Sequence, residues 1–422
     1  MKMFLIKTVQ SLAHRVTVKY KPTVVGITGS VGKTATKEAV FAVLARKYRT
    51  RKNIGNYNTE IGLPLTVLGV RSPGRSLFGW LRVLWRGCSL LWFTKKNYPE
   101  MLVLEMGADR PGDIELLLSI VTPSIGVITG IAPVHTEQFG SIEAIAKEKG
   151  KLFKAIASEG WVIANADDAR VAKLASQSSA RAIRYSTGNT TGADIKAAEI
   201  AISYSNESAT GVNGMSFKII GKGTVTPMLR RGVIGEHQVY PALAAAAVAQ
   251  ALGMNMVDVA EAVRSLEPIP GRMRVLPGIK HTILVDDTYN ASPDAMMRAL
   301  EATALIERSN SKLYAVLGDM LELGNRSENE HRRIGTAVAS LGYDALIAVG
   351  ERSRDILRGA EEAGMSRDYL FHFRSTGEAG LFVQKRIEQG DVILIKGSRG
   401  IRCERITKEI MAEPERARTL LV

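Results

Sequence analysis

The sequence predicts an α/β protein with two main domains, each built on a mainly parallel sheet flanked by helices. Three observations predict this class. Short apolar runs alternate with stretches of helical periodicity along most of the chain. A glycine-rich loop joins the first apolar run to a helical stretch. A segment with two prolines and a glycine, residues 268–272, separates a first series of apolar runs from a second.

The first series belongs to a predicted central domain, residues 23–270. Strands are predicted at its apolar runs, 23–28, 101–105, 125–129 and 160–164. Helices are predicted at 35–45, 240–252 and 257–266. Residues 194–232 alternate polar and apolar side chains and contain many Gly, Ser and Thr, so they predict an antiparallel extension of the parallel sheet.

The second series predicts a Rossmann-like α/β domain over residues 271–422. Helical segments separate its strand-like runs, which lie at 282–286, 312–317, 344–349, 369–373 and 391–396. The predicted organisation is completed by a short basic amphipathic segment, 1–22, and by an aromatic, basic insertion in the central domain, 75–96.

Composition and charge exclude several classes of protein. The two cysteines, Cys88 and Cys403, are far apart and form no CxxC motif, which argues against a disulfide framework or a Cys-based zinc site. The net charge of +14 is unevenly distributed: residues 1–99 contain 18 basic and two acidic residues, a balance of +16, which leaves −2 for the rest of the chain. Nucleic acid, an anionic membrane or a phosphorylated substrate would each explain this; no nucleic-acid-reading motif is present, so no nucleic acid partner is predicted. The N-terminus has no secretion signal, so we expect a cytoplasmic protein.

The loop TGSVGKT, residues 28–34, has the parts of a phosphate-binding cradle. Gly29, Ser30 and Gly32 offer backbone N–H groups, Lys33 offers a charge for the β- and γ-phosphates, and Thr34 offers a hydroxyl for Mg²⁺. The glycines depart from the strict GxxxxGK[ST] spacing. A strand and a helix flank the loop, as the mechanism requires, and the loop therefore predicts nucleotide binding.

Seven blocks in order give the chain a resemblance to the Mur ligase family, whose loop has this TGSVGKT form. The blocks are GNYNTEIGLPLTVL (55–68), LEMGADRPGDI (104–114), GIAPVHTEQFGS (130–141), KEKGKLF (147–153), DDTYNASPDAM (286–296), LGDMLELG (317–324) and KGSRG (396–400). They are most similar to those of the members that add D-alanyl-D-alanine to UDP-N-acetylmuramoyl-tripeptide.

The resemblance implies a P-loop ATPase domain followed by a Rossmann-like domain, and an ATP- and Mg²⁺-dependent reaction. These ligases activate a carboxylate as an acyl phosphate, which an amine then attacks, in peptidoglycan precursor synthesis. We expect a monomer. Two alternatives remain open: another amide ligase of the superfamily, such as a poly-γ-glutamate synthase, and a membrane-associated nucleotide-binding protein without ligase turnover.

The resemblance also implies roles for individual residues of the central domain. Lys33, His135 and Lys149 are the expected catalytic residues. Lys149 corresponds to the lysine that some members carry as a carbamate, which would be an anionic metal ligand. Metal ligands are expected among Thr34, Glu105, His135 and Lys149, and substrate contacts at Asn56 and Asn58.

In the second domain the resemblance implies a nucleotide-binding set, namely Arg272, Asp286, Tyr289 and Asn290. A substrate-binding set is expected at Lys396, Ser398 and Arg399. The family's His-Asn-Val-x-Asn pattern reads His237-Gln238-Val239-Tyr240-Pro241 here, so both asparagines are replaced. Only about 22 residues precede the first strand, and we therefore expect no N-terminal UDP-binding domain.

Two segments predict peripheral membrane contact, residues 1–21 and 77–96. In the first, Leu5, Val9, Leu12 and Val16 recur on one helical face. The second holds three of the four tryptophans but also Arg82 and Arg86, and each arginine at a bilayer centre costs about 2.5–3.5 kcal/mol. An interfacial helix is favoured over a transmembrane span. The alternative is that both segments pack as ordinary core.

Overall fold

The computed structural model describes residues 2–55, 57–133, 136–188 and 190–422. The chain divides into two compact units. The first contains the residues up to Glu199 together with Phe217–Met228 and Val239–Leu266. The second contains Ile200–Ser216, Leu229–Gln238 and Glu267–Val422. Because the chain passes between the units several times, they do not follow a single cut in the sequence.

The strands of the first series form one nine-stranded sheet in the order β2-β3-β1-β4-β5-β6-β7-β8-β9. Their bounds are β1 Thr23–Thr28, β2 Thr50–Lys52, β3 Met101–Glu105, β4 Ile125–Ile128, β5 Trp161–Asn165, β6 Arg181–Ser186, β7 Ile195–Tyr204, β8 Val212–Gly221 and β9 Thr224–Arg231. The pairings from β2 to β7 are parallel. Between β8 and β9, Lys222 and Gly223 both have positive φ, as in the two-residue turn of an antiparallel hairpin.

Ten helices accompany these strands in the described part of the chain. They are α1 Lys2–Tyr20, α2 Lys33–Leu44, α3 Gly62–Leu68, α4 Leu77–Trp92, α5 Asp113–Ile120, α6 Thr136–Phe139, α7 Ile142–Lys154, α8 Ala169–Ser176, α9 Tyr240–Ala251 and α10 Met256–Ser265. One core cluster joins buried side chains of α1, α3, α4, α5, α7 and α8 to the strands. The alanine-rich α9 is buried along most of its length and packs against α2, since its small side chains permit close approach.

The second unit is built on a six-stranded sheet in the order β10-β11-β15-β12-β13-β14. These strands are β10 Arg274–Pro277, β11 Ile283–Asp287, β12 Leu313–Gly318, β13 Ala345–Val349, β14 Leu370–Phe373 and β15 Val392–Lys396. Its helices are α11 Pro293–Ala304, α12 Ser327–Ser340, α13 Arg354–Glu362, α14 Thr376–Arg386, α15 Glu404–Ile410 and α16 Ala417–Leu420. Only β10 is antiparallel to its neighbour, β11.

Alternate residues of the central strands enter two separate cores, as a sheet covered on both faces requires. Val285 and Leu394 belong to one cluster, whereas Leu284 and Ile393 belong to the other. The predicted fold class, a mainly parallel α/β domain followed by a Rossmann-like α/β domain, is confirmed. The described helices include none long and apolar enough to cross a bilayer.

Candidate active site

The glycine loop lies where β1 ends and α2 begins, at the carboxyl edge of the parallel sheet. Gly32 precedes the helix with φ of 78°, and Gly29 has φ of 151°. A Cβ atom on Gly29 would lie 2.0 Å from Thr129 Oγ1, so this position accepts only glycine without a local rearrangement. The first-turn N–H groups of the 12-residue α2 are oriented as an anion site requires.

Residues after β4 hold the loop in place. Ser30 N donates to Gly130 O at 2.7 Å, and Ser30 Oγ donates to Ala132 O at 3.0 Å. Thr129 Oγ1 donates to Val31 O at 2.5 Å. Inside the loop, Lys33 Nζ donates to Gly29 O at 2.8 Å and to Ser30 O at 3.2 Å. The ammonium group therefore lies within the curve of the loop.

A buried carboxylate stands beside the start of α2. Glu105, which ends β3, is 3% exposed. Its Oε1 accepts hydrogen bonds from Thr34 Oγ1 at 3.3 Å and from Asn58 Nδ2 at 3.2 Å. The β1–β3 register, which pairs Ile27 with Glu105, places the carboxylate next to the loop. Three of the predicted site residues, Thr34, Asn58 and Glu105, are thus brought together.

The surroundings of the other carboxylate oxygen, Oε2, show whether the site could hold a cation. Glu105 Oε2 is buried and accepts no hydrogen bond from the described residues, and Lys37 Nζ lies 3.6 Å from it. A carboxylate, a hydroxyl and an amide oxygen are the hard donors that Mg²⁺ prefers. The unsatisfied oxygen and the oxygen-rich donor set therefore fit Mg²⁺. Among the described residues, no group of three or more His, Cys, Asp and Glu side chains is placed to hold a metal ion.

Lys149 lies on α7 and is 2% exposed. Burial, and after it the positive charge of Lys33, lower the pKa of Lys149 from its usual 10.5 to about 7. Asp109, Glu148 and Asp113 oppose this shift. A lysine with such a pKa is partly neutral at physiological pH, and the neutral amine is the form that reacts with carbon dioxide to give a carbamate.

Two predicted residues, Asn56 and His135, lie outside the described residues. Two others were missed by the sequence reasoning. Lys37 is fully buried between Glu38, at 3.3 Å, and Glu105; its position one turn after Lys33 on α2 could have suggested a second inward-facing cation. Asn53 is also fully buried, and its amide bonds the backbone of Glu105 through both ends. No sequence signal marked Asn53.

The second unit carries its own group of predicted residues at the carboxyl ends of β11 and β15. Asp286 is fully buried and accepts hydrogen bonds from Thr288 Oγ1 at 2.7 Å, Thr407 Oγ1 at 3.1 Å and Gly271 N at 3.0 Å. Burial raises the pKa of Asp286 to about 6. The carboxylate therefore fixes the turn at Gly271, immediately before Arg272.

Lys396 is paired inside this group. It is 2% exposed, forms an ion pair with Asp287 and donates to Asn290 O at 2.9 Å. Its ammonium thus holds the loop after β11. Ser398 is also buried, and its hydroxyl accepts from Leu321 N at 2.9 Å and lies 3.4 Å from Ala291 O.

The side chain of Tyr289 lies near two guanidinium groups. The Arg272 guanidinium carbon is 4.2 Å from the centre of its ring, and that of Arg399 is 5.3 Å away. Arg272 Nε is buried without a hydrogen-bond partner, whereas Arg399 is exposed. A cluster of two cations around an aromatic ring is suited to an anionic ligand with a planar part.

The segment that departs from the family pattern is divided between the units. In the second unit, burial lowers the pKa of His237 to about 4. In the first unit, Tyr240 OH donates to Asp167 Oδ2 at 3.0 Å and accepts from Thr187 Oγ1 at 2.8 Å.

Comparison with known proteins gives the class of the chain. The family model of the Mur ligase middle domain matches residues 27–78 and 87–249, and that of the Mur ligase glutamate ligase domain matches 271–399. The chain therefore belongs to the Mur ligase family, whose members are ATP-dependent ligases that form carbon–nitrogen bonds.

Individual relatives narrow the similarity further. The UDP-N-acetylmuramoyl-tripeptide–D-alanyl-D-alanine ligase of Bacillus subtilis is 30% identical over 409 residues, which are 97% of this chain and 80% of the relative. The ligase of the same name from Mycobacterium tuberculosis is 34% identical over 393 residues, 89% of this chain and 70% of the relative. A solved MurF ligase from Thermotoga maritima in complex with ADP superposes with a TM-score of 0.77 at 27% identity, over 97% of this chain and 84% of that one.

Proposed function

We propose that this chain joins the amine of D-alanyl-D-alanine to the terminal carboxylate of UDP-N-acetylmuramoyl-tripeptide, with ATP converted to ADP and phosphate. The names of the relatives support these substrates. The carboxylate attacks the γ-phosphorus and ADP leaves, which gives an acyl phosphate. The amine then attacks the acyl carbon, loses a proton and expels phosphate. The product belongs to peptidoglycan precursor synthesis.

The arrangement of Thr34, Asn58 and Glu105 beside the glycine loop is the observation that carries the proposal. It supplies the hydroxyl and the buried carboxylate that a nucleotide-bound Mg²⁺ needs, next to a helix N-terminus that binds phosphate. When bound, Mg²⁺ would neutralise charge on the β- and γ-phosphates and so help an anionic nucleophile approach.

The other residues of the first unit bind and position the reactants. The N–H groups around Gly29, Ser30 and Gly32 bind phosphate oxygens. Lys33 Nζ, which donates to two carbonyl oxygens of the loop in this structure, donates to phosphate oxygens when the nucleotide is bound. Lys149, as a carbamate, and His135 would provide further ligands to Mg²⁺. Asn56 would contact substrate.

In the second unit Arg272, Tyr289 and Asn290 bind the nucleotide, and Asp286 fixes the turn at Gly271 that precedes Arg272. Arg399 is the exposed cation for an acidic group of substrate or phosphate. Lys396 and Ser398 are buried and stabilise the loops of this site. Lys396 pairs with Asp287 and donates to the backbone of Asn290. Ser398 contacts the backbone of Ala291 and Leu321.

The protein acts as a monomer in the cytoplasm, at the inner face of the membrane.

Phosphate release tests the reaction. The assay compares UDP-N-acetylmuramoyl-tripeptide plus D-alanyl-D-alanine with the same tripeptide plus glutamate and with no acceptor. Release that depends on D-alanyl-D-alanine, with a product mass equal to the sum of the substrates minus water, is the expected result.

Lys33→Ala is the matched control, since it removes the loop charge and should reduce the rate at least about 100-fold, as the loss of a transition-state charge contact does. Release that depends on glutamate instead would favour a poly-γ-glutamate synthase. Nucleotide binding without phosphate release under any acceptor would favour a partner protein without turnover.

A further inference from the structure

Helix α4 has two apolar faces, and the described residues cover only one of them. Val83 and Leu90 are buried in the core cluster of the first unit, and Trp80, Leu84 and Leu91 pack against it. On the opposite side lie large apolar side chains that are 61–86% exposed: Leu77, Phe78, Leu81, Trp85 and Trp92. At 100° per residue, these five fall within one arc of about 100°.

This exposed arc differs from the apolar face of α1. Val9, Leu12 and Val16, which predicted a membrane-facing stripe on α1, are buried in the protein. Leu12 packs so closely against α4 that a Cβ atom on Gly87 would lie 2.9 Å from it. Helix α1 therefore packs against the inner side of α4, and the arc of five exposed apolar side chains belongs to α4.

Basic residues surround the arc without acidic ones between them in the sequence. Arg75, Arg82, Lys95 and Lys96 are exposed, and the chain between Glu60 and Glu100 contains six Lys and Arg but no Asp or Glu. Charged residues beside exposed tryptophans form the pattern of an interfacial helix, whose rings enter the headgroup region while cations meet anionic lipid.

We propose that α4 docks this protein on an anionic lipid bilayer, with Leu77, Phe78, Leu81, Trp85 and Trp92 inserted in the interface. Helix α4 lies parallel to the bilayer plane, since 16 residues are too few to span it and its opposite face is held in the core. Charge complementarity favours a bilayer over a second copy of this chain, because two copies would bring two basic surfaces together. Residues 79–86, in the middle of α4, lie between the two stretches that the family model matches. Docking is thus a property of this chain beyond the ligase reaction.

Vesicle binding by the full-length protein tests the proposal. Vesicles of phosphatidylglycerol and phosphatidylcholine in equal parts are compared with vesicles of phosphatidylcholine alone, by flotation and by tryptophan emission. We expect binding to the anionic vesicles with a blue shift of the emission, and at least about tenfold weaker binding to the neutral vesicles, since each basic residue near an anionic surface contributes about fivefold.

Two variants separate the apolar and the charged contributions. Trp85→Ser with Trp92→Ser should weaken binding at least about tenfold, and Arg75→Gln with Arg82→Gln should do the same and reduce the dependence on salt. The matched control is Leu381→Ser with Arg405→Gln, which changes one apolar and one basic residue of the second unit and should bind like the wild type.

Three results would overturn the proposal. They are equal binding to both kinds of vesicle, unchanged binding by the tryptophan variant, and a wild-type dimer in sedimentation that the tryptophan variant converts to a monomer. Thermal unfolding confirms that each variant is folded. Phosphate release with soluble substrates should be unchanged in the α4 variants, so failure of docking is distinguished from failure of the proposed reaction.

Discussion

Replacing Asn53 by alanine should lower both the stability of the first unit and its response to Mg²⁺. Strand β2 ends at Lys52, which pairs with Val103, so the last two residues of β3, Leu104 and Glu105, have no partner in β2. The Asn53 side chain makes the hydrogen bonds to the Glu105 backbone that a longer β2 would make. Its Oδ1 accepts from Glu105 N at 2.9 Å, and its Nδ2 donates to Glu105 O at 3.1 Å and to Tyr57 O at 3.0 Å.

The size of the effect follows from these three bonds. A buried polar group left without a partner costs about 1–3 kcal/mol, and water entering the space would satisfy part of the loss. We therefore expect Asn53→Ala to cost about 3 kcal/mol in total. For a unit of this size the midpoint of thermal unfolding should fall by roughly 6–12 °C.

The second effect is on the site itself. Asn53 holds the backbone that carries the Glu105 carboxylate, and it holds the loop that leads to Asn58. Its removal should raise the Mg²⁺ concentration for half-maximal phosphate release at least about tenfold, as loss of an outer-shell partner of a metal ligand does.

Scanning calorimetry and a Mg²⁺ titration of phosphate release measure the two effects. Asn97→Ala is the control, because it removes an exposed amide from the same unit. An unfolding midpoint within about 2 °C of the wild type would contradict the hydrogen-bond argument. A lowered midpoint with an unchanged Mg²⁺ response would show that Asn53 acts on stability alone.

Three further predictions concern the loop, the buried lysine and the second unit. Gly29→Ala places a Cβ atom 2.0 Å from Thr129 Oγ1 and should weaken ATP binding at least about 100-fold by calorimetric titration, whereas Gly377→Ala, where no atom lies within 4 Å, should bind like the wild type. Burial lowers the pKa of Lys149 to about 7, so between pH 7 and 10.5 the unfolded chain binds more protons than the folded one. The free energy of unfolding of the wild type should therefore rise with pH over this range relative to that of Lys149→Met. Parallel pH profiles of the two proteins in urea unfolding would contradict the burial of this amine. Tyr289→Ala should raise the KM for ATP about 5- to 30-fold by removing the ring that Arg272 and Arg399 approach, and Tyr289→Phe should keep a near-normal KM; equal KM values for both variants would exclude this ring contact.

The strands that the sequence predicted are those in which consecutive residues are buried and form a continuous apolar run. Runs such as 101–105 and 392–396 are buried on both faces, so every residue except the charged last one is apolar, and their bounds agree with prediction to within about a residue. Strands β2, β6 and β10 were not predicted. Each is partly exposed and contains arginine, and β2 has three residues, so none gives an apolar run.

The residues of the site likewise divide into those that the sequence predicted and those that it did not. The glycine loop was predicted because its motif and its flanking elements mark it locally, and Glu105 was expected from the resemblance to the family. The structure adds the distances between them. Asn53 and Lys37 were not predicted, since a polar residue becomes part of the site only when strands distant in sequence surround it. Lys37 lies 68 residues before Glu105 in the chain, yet its ammonium is 3.6 Å from the unsatisfied oxygen.

Helices α1 and α4 show a further limit of periodicity. The sequence favoured membrane contact for the apolar stripe of α1, but Val9, Leu12 and Val16 are buried in the protein, which was the alternative. Helix α4 is apolar around most of its circumference. Its sequence therefore does not indicate which side packs against the rest of the protein and which side is left for a partner. The core covers the side of Val83 and Leu90. The side of Trp85 and Trp92 is the one that needs a partner, and only its basic surroundings indicate that this partner is an anionic bilayer.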